Sequence, residues 1–379
     1  MLAVMSPAQA MSLAIEEAQK GFGFVAPNPV VGCVILDALG HFLASGYHKK
    51  IGGPHAEVEA LSAVTDQARL KDAQVFVTLE PCSHFGRTPP CAEMLAKLPL
   101  KRVVFGILDP NPKVSGQGAE RLCAAGIECL AWASFAPEDQ TTLQALEELA
   151  EIFLYNQRQQ KTFVALKVAT SLDGRMALRS GESKWISGVE SRHYSHFLRS
   201  QYDAVLIGKN TFLMDDPSLN VRLKGFEAQQ NAVVLIDPRG HSLAKLAGSQ
   251  LAAHRPLHKI WIATCSEIES SEVQILKLRK KADGQMDLTH LLELLWQNDI
   301  RSIFVEGGAH TFAGFLSERL VQRMHLFIAP YLIGGAFGIS WTEYFGAEKM
   351  SDRLALSALE AKKLGRDLYF SFQLANGLL

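Results

Sequence analysis

Short, nearly continuous apolar runs alternate with helical patterns along most of this chain. The first series of runs and helices covers residues 30–36, 56–63, 75–79, 92–97, 102–108 and 119–125. Apolar runs this short are typical of strands that are buried on both faces of a sheet. Their alternation with helices predicts an α/β layered domain. The sequence has no short-period repeat, which argues against a solenoid or a propeller.

A second series of the same kind follows a polar, helical stretch at residues 137–160. Its apolar runs cover residues 163–171, 204–208, 232–237, 259–264, 302–308 and 324–335, and residues 367–374 have the pattern of an edge strand or part of a hairpin. The 379 residues correspond to about 2.5 domains of roughly 150 residues each. We therefore predict one α/β domain over residues 1–148, a connection at 149–160 and a second α/β domain over 161–379.

The composition is that of a globular chain with balanced charge. Apolar residues make up 48% and charged residues 20% of the sequence, which excludes a disordered or collagen-like chain. The 38 Lys and Arg residues almost balance the 39 Asp and Glu residues, which disfavours a nucleic-acid partner but leaves small anionic substrates open. No apolar run approaches the roughly 18–20 residues of a membrane span.

The first residues, MLAVMSPAQAMSLAIEEA, lack the basic segment of a secretion signal. They predict instead a helix with Ser6 as N-cap, Pro7 in the first turn, Gln9 completing a capping box and Gly21 as the stop. We therefore expect a cytoplasmic protein whose six cysteines are free thiols or metal ligands.

Four residues of the first half have the pattern of a catalytic zinc centre. His55 and Glu57 lie at the start of a helix, Cys82 follows an apolar run, and Cys91 begins the next helix after two prolines. One His and two Cys are three protein ligands, the number that a catalytic Zn²⁺ uses when its fourth position is kept for water. Glu57 is placed to carry a proton to a leaving amine. We therefore predict zinc ligands at His55, Cys82 and Cys91, with Glu57 as the catalytic acid and base.

The other cysteines are predicted to be structural. Cys33, Cys123, Cys129 and Cys265 each lie in an apolar or helical run, where cysteine is typically a small core residue. His84 lies between the two ligand cysteines, and we interpret it as a loop or substrate-side residue because three ligands are already assigned.

The motif HAE followed by PC resembles the cytidine deaminase superfamily, whose signature is H-x-E with P-C-x-x-C. Here eight residues rather than two separate the cysteines, in PCSHFGRTPPC. This insertion, together with NPVVG at 28–32, GYH at 46–48 and DPNP at 109–112, resembles the bifunctional deaminase-reductases of riboflavin biosynthesis. The resemblance implies a cytidine-deaminase-like three-layer α/β/α domain, in which Asn28 and His48 contact the pyrimidine and its sugar phosphate.

Two other interpretations remain open. A nucleotide or tRNA deaminase with an unrelated C-terminal domain would use the same zinc ligands, although the near-neutral charge and the eight-residue spacing weaken this alternative. A zinc-stabilised binding module would need a fourth protein ligand that closes the metal to water.

The second half has no Gly-x-Gly-x-x-Gly after a strand, so a Rossmann dinucleotide fold is not indicated. Its segment FVEGGAHTFAGF combines a strand, Glu306, two glycines and a helix start, where free backbone N–H groups can hold a phosphate. Over about residues 160–374 this half resembles the dihydrofolate-reductase-like α/β reductase domain of the same family.

The resemblance implies which residues of the second half bind ligands. Substrate contacts are expected from Lys167, Ser183, Arg199, Leu219, Arg222 and Glu306. NADPH contacts are expected from Ala169, Trp185, Thr211, Asp215, Gly308, Ala309, His310, Thr311, Phe312, Ala313 and Gly314. At one position many relatives have a Ser that can bond the cofactor, whereas this chain has Pro238, which offers neither a hydroxyl nor an N–H.

The resemblance thus implies a bifunctional enzyme that uses Zn²⁺ and NADPH. Deamination of a diaminopyrimidinone ribosyl phosphate would be followed by reduction of its ribosyl group to a ribityl chain. Lys167 is the predicted catalytic residue of the reduction, with Glu306 as the alternative partner for the proton. We expect small-molecule substrates, a homo-oligomer, and no nucleic-acid or membrane partner.

Overall fold

The computed structural model describes residues 4–83, 90–110, 115–183, 186–226, 231–335 and 337–374. The chain divides into two compact units, Met1–Gln160 (unit 1) and Lys161–Leu379 (unit 2). The stretch expected to connect two domains is mostly a helix, Gln140–Gln159, which belongs to unit 1 and packs on that unit's first helix.

A mixed sheet forms the centre of unit 1. Its described strands are β1 (Gly32–Leu36), β2 (Phe42–Tyr47), β3 (Ala73–Leu79), β4 (Leu100–Ile107) and β5 (Glu128–Ala131). Their order is β2-β1-β3-β4-β5, with β1 antiparallel to both neighbours and β3, β4 and β5 parallel. The carboxyl end of β3 leads directly to Cys82.

Helices cover both faces of this sheet. The described helices of unit 1 are α1 (Pro7–Gln19), α2 (Ala56–Ser62), α3 (Cys91–Leu95), α4 (Gln117–Ala124), α5 (Trp132–Phe135) and α6 (Gln140–Gln159), with a 3₁₀ turn at Gln67–Leu70. Side chains of β3 alternate between the faces. Val75 and Val77 pack with α2, α3 and α4, whereas Phe76 packs with α1 and α6. The predicted three-layer α/β/α arrangement is confirmed.

The predicted capping of α1 is also confirmed. The Ser6 Oγ accepts a hydrogen bond from the Gln9 backbone N at 3.2 Å, and the Gln9 Oε1 accepts one from the Ser6 backbone N at 2.8 Å. Pro7 is the first residue of the helix, which ends two residues before Gly21.

Two strands of unit 1 have no counterpart among the predicted apolar runs. β2 carries FLASGY and β5 carries ECLA, and both are partly exposed. They are the two edges of the sheet as described. An edge strand needs less apolar surface than a central one, so neither sequence has the continuous apolar pattern.

Unit 2 contains a larger, mainly parallel sheet. Its described strands are β6 (Phe163–Ser171), β7 (Arg175–Leu178), β8 (Ala204–Gly208), β9 (Ala232–Ile236), β10 (Ile260–Thr264), β11 (Gln274–Lys277), β12 (Ser302–Val305), β13 (Arg323–Ala329), β14 (Gly338–Ser340), β15 (Leu356–Leu364) and β16 (Asp367–Leu374). The order in the sheet is β11-β10-β9-β8-β12-β6-β13-β16-β15, and β7 pairs with β14 separately. The strands from β11 to β13 in this order are parallel, and β16 and β15 continue the sheet antiparallel.

The sheet of unit 2 is covered on both faces. Its described helices are α7 (Val189–Ser200), α8 (Lys209–Asp215), α9 (Leu243–Leu246), α10 (Gln250–His254), α11 (Leu288–Gln297) and α12 (Ala309–Ser317), with 3₁₀ turns at Leu257–Lys259 and Met350–Asp352. Val205 and Ile207 of β8 pack with α8, α9 and α10, whereas Leu206 packs with α11 and α12. Because neighbouring strands are parallel, the ends of β8 and β12 bring Gly208 and Glu306 to the same edge of the sheet.

Two predicted strands end earlier than expected. The run at 302–308 is a strand only to Val305, and the run at 324–335 is a strand only to Ala329, because Pro330 follows and cannot donate to the ladder. Residues 367–374 form β16, which pairs with β13 and β15 and so belongs to a hairpin but not to an edge. None of the described helices combines the length and hydropathy that crossing a membrane requires.

Candidate active sites

The predicted metal ligands come together at the amino end of α2. His55 immediately precedes α2, Cys82 lies three residues after β3, and Cys91 is the first residue of α3. The His55 Nδ1 lies 3.2 Å from the Cys91 Sγ and 3.5 Å from the Cys82 Sγ. The three ligand atoms lie within 4.8 Å of one another, and no other such group of metal-binding side chains occurs among the described residues.

These separations fit a zinc ion. Zn–S bonds of about 2.3 Å and Zn–N bonds of about 2.0 Å at tetrahedral angles place ligand atoms roughly 3.5 Å apart. The observed 3.2 and 3.5 Å are close to that value, and thiolate and imidazole are donors that Zn²⁺ accepts readily. Within the described ranges no fourth protein ligand joins the group.

The two cysteines already have unequal protonation. The hydrogen bond from the Cys91 thiol outweighs the effect of burial and, with His55, lowers the pKa of Cys82 to about 4. The Cys91 backbone N also donates to the Cys82 Sγ at 3.3 Å. The neighbouring Cys82 thiolate raises the pKa of Cys91. The hydrogen bonds to Cys82 thus favour its thiolate, which is the form that binds a metal.

Glu57 belongs to the first turn of α2 and is buried beside the ligands. Its exposure is 4%. Burial, together with the Cys82 charge, raises the pKa of Glu57 to about 7, while His55 opposes the shift. A carboxyl group held this close to a three-ligand site is positioned for general acid–base chemistry.

Asn28 and His48 lie together near this group. The His48 Nδ1 lies 2.9 Å from the Pro54 carbonyl oxygen, and its Nε2 lies 3.3 Å from the Asn28 Nδ2. The His48 ring also contacts the His55 ring edge-on, with centroids 5.6 Å apart. Burial lowers the pKa of His48. A neutral His48 whose two ring nitrogens are both engaged is suited to orienting the Asn28 amide rather than to binding a phosphate as a cation.

Sequence reasoning missed Glu80, a buried carboxylate two residues before Cys82. Glu80 is 3% exposed and accepts hydrogen bonds of 3.1–3.4 Å from four backbone N–H groups between residues 109 and 119. It ties the turn after β3 to the start of α4. The available signal was a Glu directly after a buried strand, because a buried carboxylate requires hydrogen-bond donors.

The remaining cysteines are only partly as predicted. Cys33 is buried in the core, and Cys129 and Cys265 are half-buried. Cys123 is exposed, so its prediction as a core residue is wrong. It lies next to Leu122, the residue of α4 that faces the sheet, so the helical period turns Cys123 outward. His84 and part of the DPNP motif, residues 111 and 112, lie outside the described residues.

In unit 2, β6 carries Lys167 and Ala169 on one face, because strand side chains alternate. Lys167 is half-buried, and its Nζ lies 5.7 Å from the centre of the Phe327 ring. Burial lowers the pKa of Lys167, Glu306 raises it and Arg199 lowers it. Leu166 of β6 pairs with Val305 of the neighbouring strand β12. Lys167 and Glu306 directly follow these two residues, so they lie side by side at the end of β12, an arrangement suited to proton transfer.

Arg199 of α7 and Glu306 after β12 form a bidentate ion pair. The Nε and Nη2 of Arg199 lie 2.7 and 3.1 Å from the two carboxylate oxygens, and both side chains are about nine-tenths buried. The Arg199 Nη1 donates to the Asn220 carbonyl oxygen at 2.6 Å. Arg199 and Lys167 lower the pKa of Glu306 although burial raises it. Arg199 therefore holds Glu306 ionised and in place, and its own donors are mostly engaged.

Arg222 is exposed and lies against His196, a residue that sequence reasoning missed. The Arg222 Nε lies 3.2 Å from the His196 Nε2, and the Arg199 Nη1 lies 3.5 Å from the His196 Nδ1. Burial and the two arginines lower the pKa of His196 to about 4. His196 precedes Arg199 by three residues on α7, so helical spacing offered a signal that the two share a face.

The predicted cofactor residues include a helix start that is open for a phosphate. Gly308 precedes α12 without a side-chain cap. A Cβ on Gly307 would lie 2.6 Å from the Thr311 Cβ, so only glycine permits this close turn. A Cβ on Gly208, at the end of β8, would lie 2.8 Å from the Thr311 Oγ1. The ends of β8 and β12 therefore meet at the first turn of α12, where Ala309 and His310 also lie.

Other predicted ligand residues are more scattered. Thr211 is half-buried in the first turn of α8, whereas Asp215 is exposed at the end of that helix. Ser183 is half-buried, and Leu219 is buried. The side chains of Phe312 and Ala313 are buried on the inner side of α12, and Gly314 lies near Leu288. Trp185 lies outside the described residues.

Two family models match the chain, one in each unit. Residues 5–107 match the cytidine and deoxycytidylate deaminase zinc-binding region, which contains His55, Cys82 and Cys91. Residues 162–370 match the RibD C-terminal domain. A zinc deaminase domain is thus followed by a reductase domain, the arrangement of a bifunctional deaminase-reductase.

Full-length relatives agree with this arrangement. The chain is 37% identical to the riboflavin biosynthesis protein RibD of Aquifex aeolicus, over 96% of this chain and 97% of that protein. It is 35% identical to RibD of Escherichia coli, over 94% of this chain and 96% of that protein. A solved structure of Acinetobacter baumannii RibD is 34% identical, with a TM-score of 0.81 over 97% of this chain and 99% of that one.

The structure of a Thermotoga maritima diaminohydroxyphosphoribosylaminopyrimidine deaminase/5-amino-6-(5-phosphoribosylamino)uracil reductase is 31% identical, with a TM-score of 0.82 over 97% and 98% of the two chains. The present chain belongs to the RibD family of riboflavin biosynthesis proteins. It is an enzyme with a zinc-dependent deaminase domain and an NADPH-dependent reductase domain.

Proposed function

We propose that unit 1 deaminates 2,5-diamino-6-ribosylamino-4(3H)-pyrimidinone 5′-phosphate. Unit 2 then reduces the ribosyl group of the product, 5-amino-6-(5-phosphoribosylamino)uracil, to ribityl. The observation that carries the proposal is the group of His55, Cys82 and Cys91 with Glu57 buried beside it. The activities named for the Thermotoga maritima enzyme support the two substrates. A nucleotide or tRNA deaminase with an unrelated C-terminal domain is not favoured, because unit 2 matches the RibD C-terminal domain.

In unit 1, His55, Cys82 and Cys91 would hold the metal. When bound, Zn²⁺ supplies an acidified water molecule as nucleophile. The Glu57 carboxylate takes up a proton and delivers it to the exocyclic amino nitrogen, which leaves as ammonia. His48 holds the Asn28 amide so that its Oδ1 can accept a hydrogen bond from the pyrimidine edge.

In unit 2, the start of α12 would hold the cofactor phosphates, because its uncapped N–H groups favour anions. When bound, NADPH supplies the hydride for the ribosyl carbon. Lys167 gives a proton to the ring oxygen of the sugar as it opens, and the charge of Glu306 favours the protonated form of Lys167 before this step. Arg222 is exposed and binds the substrate phosphate, whereas Arg199 keeps Glu306 ionised.

We also propose that the enzyme works in the cytoplasm as a homo-oligomer on small molecules. The net charge of -1 supports the absence of a nucleic-acid partner. Light scattering on the purified chain measures its oligomeric state. A monomer at micromolar concentration would contradict the proposed homo-oligomer.

The test of the two activities is to follow ammonia release and NADPH oxidation together. Glu57→Gln keeps the shape of the side chain but removes the proton carrier. We expect deamination to fall by about 10²- to 10⁴-fold, with unchanged zinc content by elemental analysis. NADPH oxidation on supplied deaminated substrate should stay at the wild-type rate.

Glu59→Gln is a matched control, since Glu59 lies on the same helix but pairs with Lys49 at 2.5 Å. This variant should deaminate normally. Deamination at the wild-type rate by Glu57→Gln would contradict the role of Glu57. NADPH oxidation by that variant with only the undeaminated substrate present would contradict the proposed order of the two steps.

A further inference from the structure

Unit 2 has a cavity of about 290 Å³ at the carboxyl ends of β9 and β10. Pro238 and Cys265, which follow these two strands, form part of its wall. His310 and Thr311, from the first turn of α12, form another part. In open α/β sheets, ligands bind at the carboxyl ends of parallel strands. The cavity is therefore continuous with the helix start that the proposed function assigns to the cofactor phosphates.

The lining and volume of the cavity suit a flat heteroaromatic ring. Ile236, Met286 and Leu288 give it apolar walls. Its volume is near the lower end of the roughly 300–1,000 Å³ range of small-molecule sites, which suits part of a dinucleotide rather than the whole molecule. A dinucleotide whose phosphates lie at the start of α12 would reach this cavity with one of its two nucleoside ends.

One of the basic residues near the cavity is available to bind a ligand. Four of the five residues from 277 to 281 are Lys or Arg. Three of these pair with carboxylates: Lys277 with Glu267, Arg279 with Asp287, and Lys281 with Glu318. Lys280 lines the cavity and has no ion-pair partner in the part of the chain that the structure describes. It is also the only Lys or Arg among the described lining residues.

A hairpin holds Lys280 at the cavity. Its backbone pairs with Met286 across an isolated bridge. The Lys281 backbone N donates to the Gln285 carbonyl oxygen at 2.8 Å, and Gly284 takes a φ of 83° that closes the turn. Cys265 also lines the cavity; burial raises the pKa of its thiol and the charge of Lys280 opposes this. The backbone thus fixes the point from which the Lys280 side chain reaches the cavity.

We propose that this cavity takes the adenosine end of NADPH and that Lys280 binds its 2′-phosphate. Lys280 would then be the residue that makes this enzyme prefer NADPH to NADH. The inference rests on the proposed reductase function of unit 2. Pro238 cannot supply a hydroxyl or an N–H to the cofactor here, whereas an ammonium group binds a phosphate as a point charge. Glu318 also lines the cavity, but its carboxylate is already paired with Lys281.

The test is a set of calorimetric titrations of the full-length protein with NADPH, NADH, adenosine 2′,5′-bisphosphate and ADP. Lys280→Met keeps the length of the side chain and removes its charge. We expect the Kd of NADPH and of the bisphosphate to rise roughly ten- to a hundredfold, the range for one charge-assisted hydrogen bond. The Kd of NADH and of ADP should change by less than about twofold, since neither carries the 2′-phosphate.

Two further variants separate this role from general electrostatics. Lys280→Arg should retain the preference for NADPH. Arg239→Met removes an exposed cation next to Pro238 that does not line the cavity, and should leave both Kd values unchanged. Equal weakening of NADPH and NADH by Lys280→Met, no weakening of either, or loss of the preference in Arg239→Met would overturn the inference. A wild-type protein that binds no NADPH would instead refute the proposed reductase function.

Discussion

At the scale of single residues, the two arginines of the reductase site differ in how many of their guanidinium N–H groups are already hydrogen-bonded. Arg199 is engaged with Glu306 and the Asn220 carbonyl oxygen. Arg222 is exposed and contacts the ring of His196. Under the proposed function an approaching phosphate would meet Arg222 first, while Arg199 stabilises the buried carboxylate of Glu306.

His196 gives this cluster a pH dependence. The charged groups that face it are Arg199, Arg222 and Glu306, and burial with the two arginines lowers its pKa to about 4. Between the unfolded pKa of about 6.5 and about 4, the unfolded state binds a proton that the folded state does not. The free energy of unfolding should therefore fall as the pH falls through this window. Thermal unfolding of the full chain at several pH values measures this.

His196→Gln is the comparison, because glutamine is polar but does not titrate. Its melting temperature should fall less than that of the wild type between pH 7 and pH 4. Other groups that titrate in this range, such as Asp203 with a pKa raised to about 6 by burial, are common to both proteins. Parallel declines in the two proteins would show that His196 titrates normally.

The candidate metal group could be predicted from sequence because HAE followed by PC is a recognisable motif. His55 and Cys82 occur at a helix start and a strand end, positions that local patterns reveal. Glu80 and His196 could not be assigned roles in the same way. The pairs Glu80–Ala119 and His196–Arg222 span 39 and 26 residues. Unlike HAE and PC they belong to no motif that links the two residues, so these contacts depend on packing.

At the scale of elements, the deaminase site depends on the contact between α2 and β2. α2 carries Glu57 in its first turn. A Cβ on Gly46 of β2 would lie 2.8 Å from both the Ala56 carbonyl oxygen and the Glu59 carbonyl carbon. These are backbone atoms and cannot rotate away. Glycine at this position therefore sets how closely α2, and with it the catalytic carboxyl, approaches the sheet.

Gly46→Ala should consequently push α2 away from β2. Overpacking of this kind costs about 1–3 kcal/mol or more, measurable as a lower melting temperature of the full chain. We also expect weaker zinc retention against a competing chelator and slower ammonia release. Oxidation of NADPH with supplied deaminated substrate should be unaffected.

Gly248→Ala serves as the control for this substitution. Gly248 is exposed, and no heavy atom of the described structure lies within 4 Å of its added Cβ. The Gly248→Ala variant should therefore have the melting temperature and the deamination rate of the wild type. If Gly46→Ala retained wild-type stability and zinc affinity, α2 would not be held against β2 as described.

Elements in the interior were easier to predict than those at the edges. β3, β9 and β10 are central or well covered, and their continuous apolar runs identified them. β2 and β5 were missed because one side of an edge strand remains partly exposed and polar. The short strands β7 and β14 pair only with each other within the described residues, so no long apolar run marks them.

At the scale of the whole molecule, each unit has its own sheet and its own buried clusters. The core around Val75 and Val77 belongs to unit 1, and the core around Val205 and Leu206 belongs to unit 2. The metal ligands all lie in unit 1 and the predicted cofactor residues in unit 2. A buried core in unit 1 is therefore expected to persist without metal.

Metal removal should consequently separate the two activities. Incubation of the full chain with a chelator should abolish ammonia release, because His55, Cys82 and Cys91 then hold no Lewis acid. Oxidation of NADPH should stop with the undeaminated substrate but continue at the wild-type rate with supplied deaminated substrate. Circular dichroism should remain unchanged, and added Zn²⁺ should restore deamination. Unfolding of unit 1 on chelation would instead indicate a structural metal, and loss of the second reaction would show that the reductase site depends on the metal.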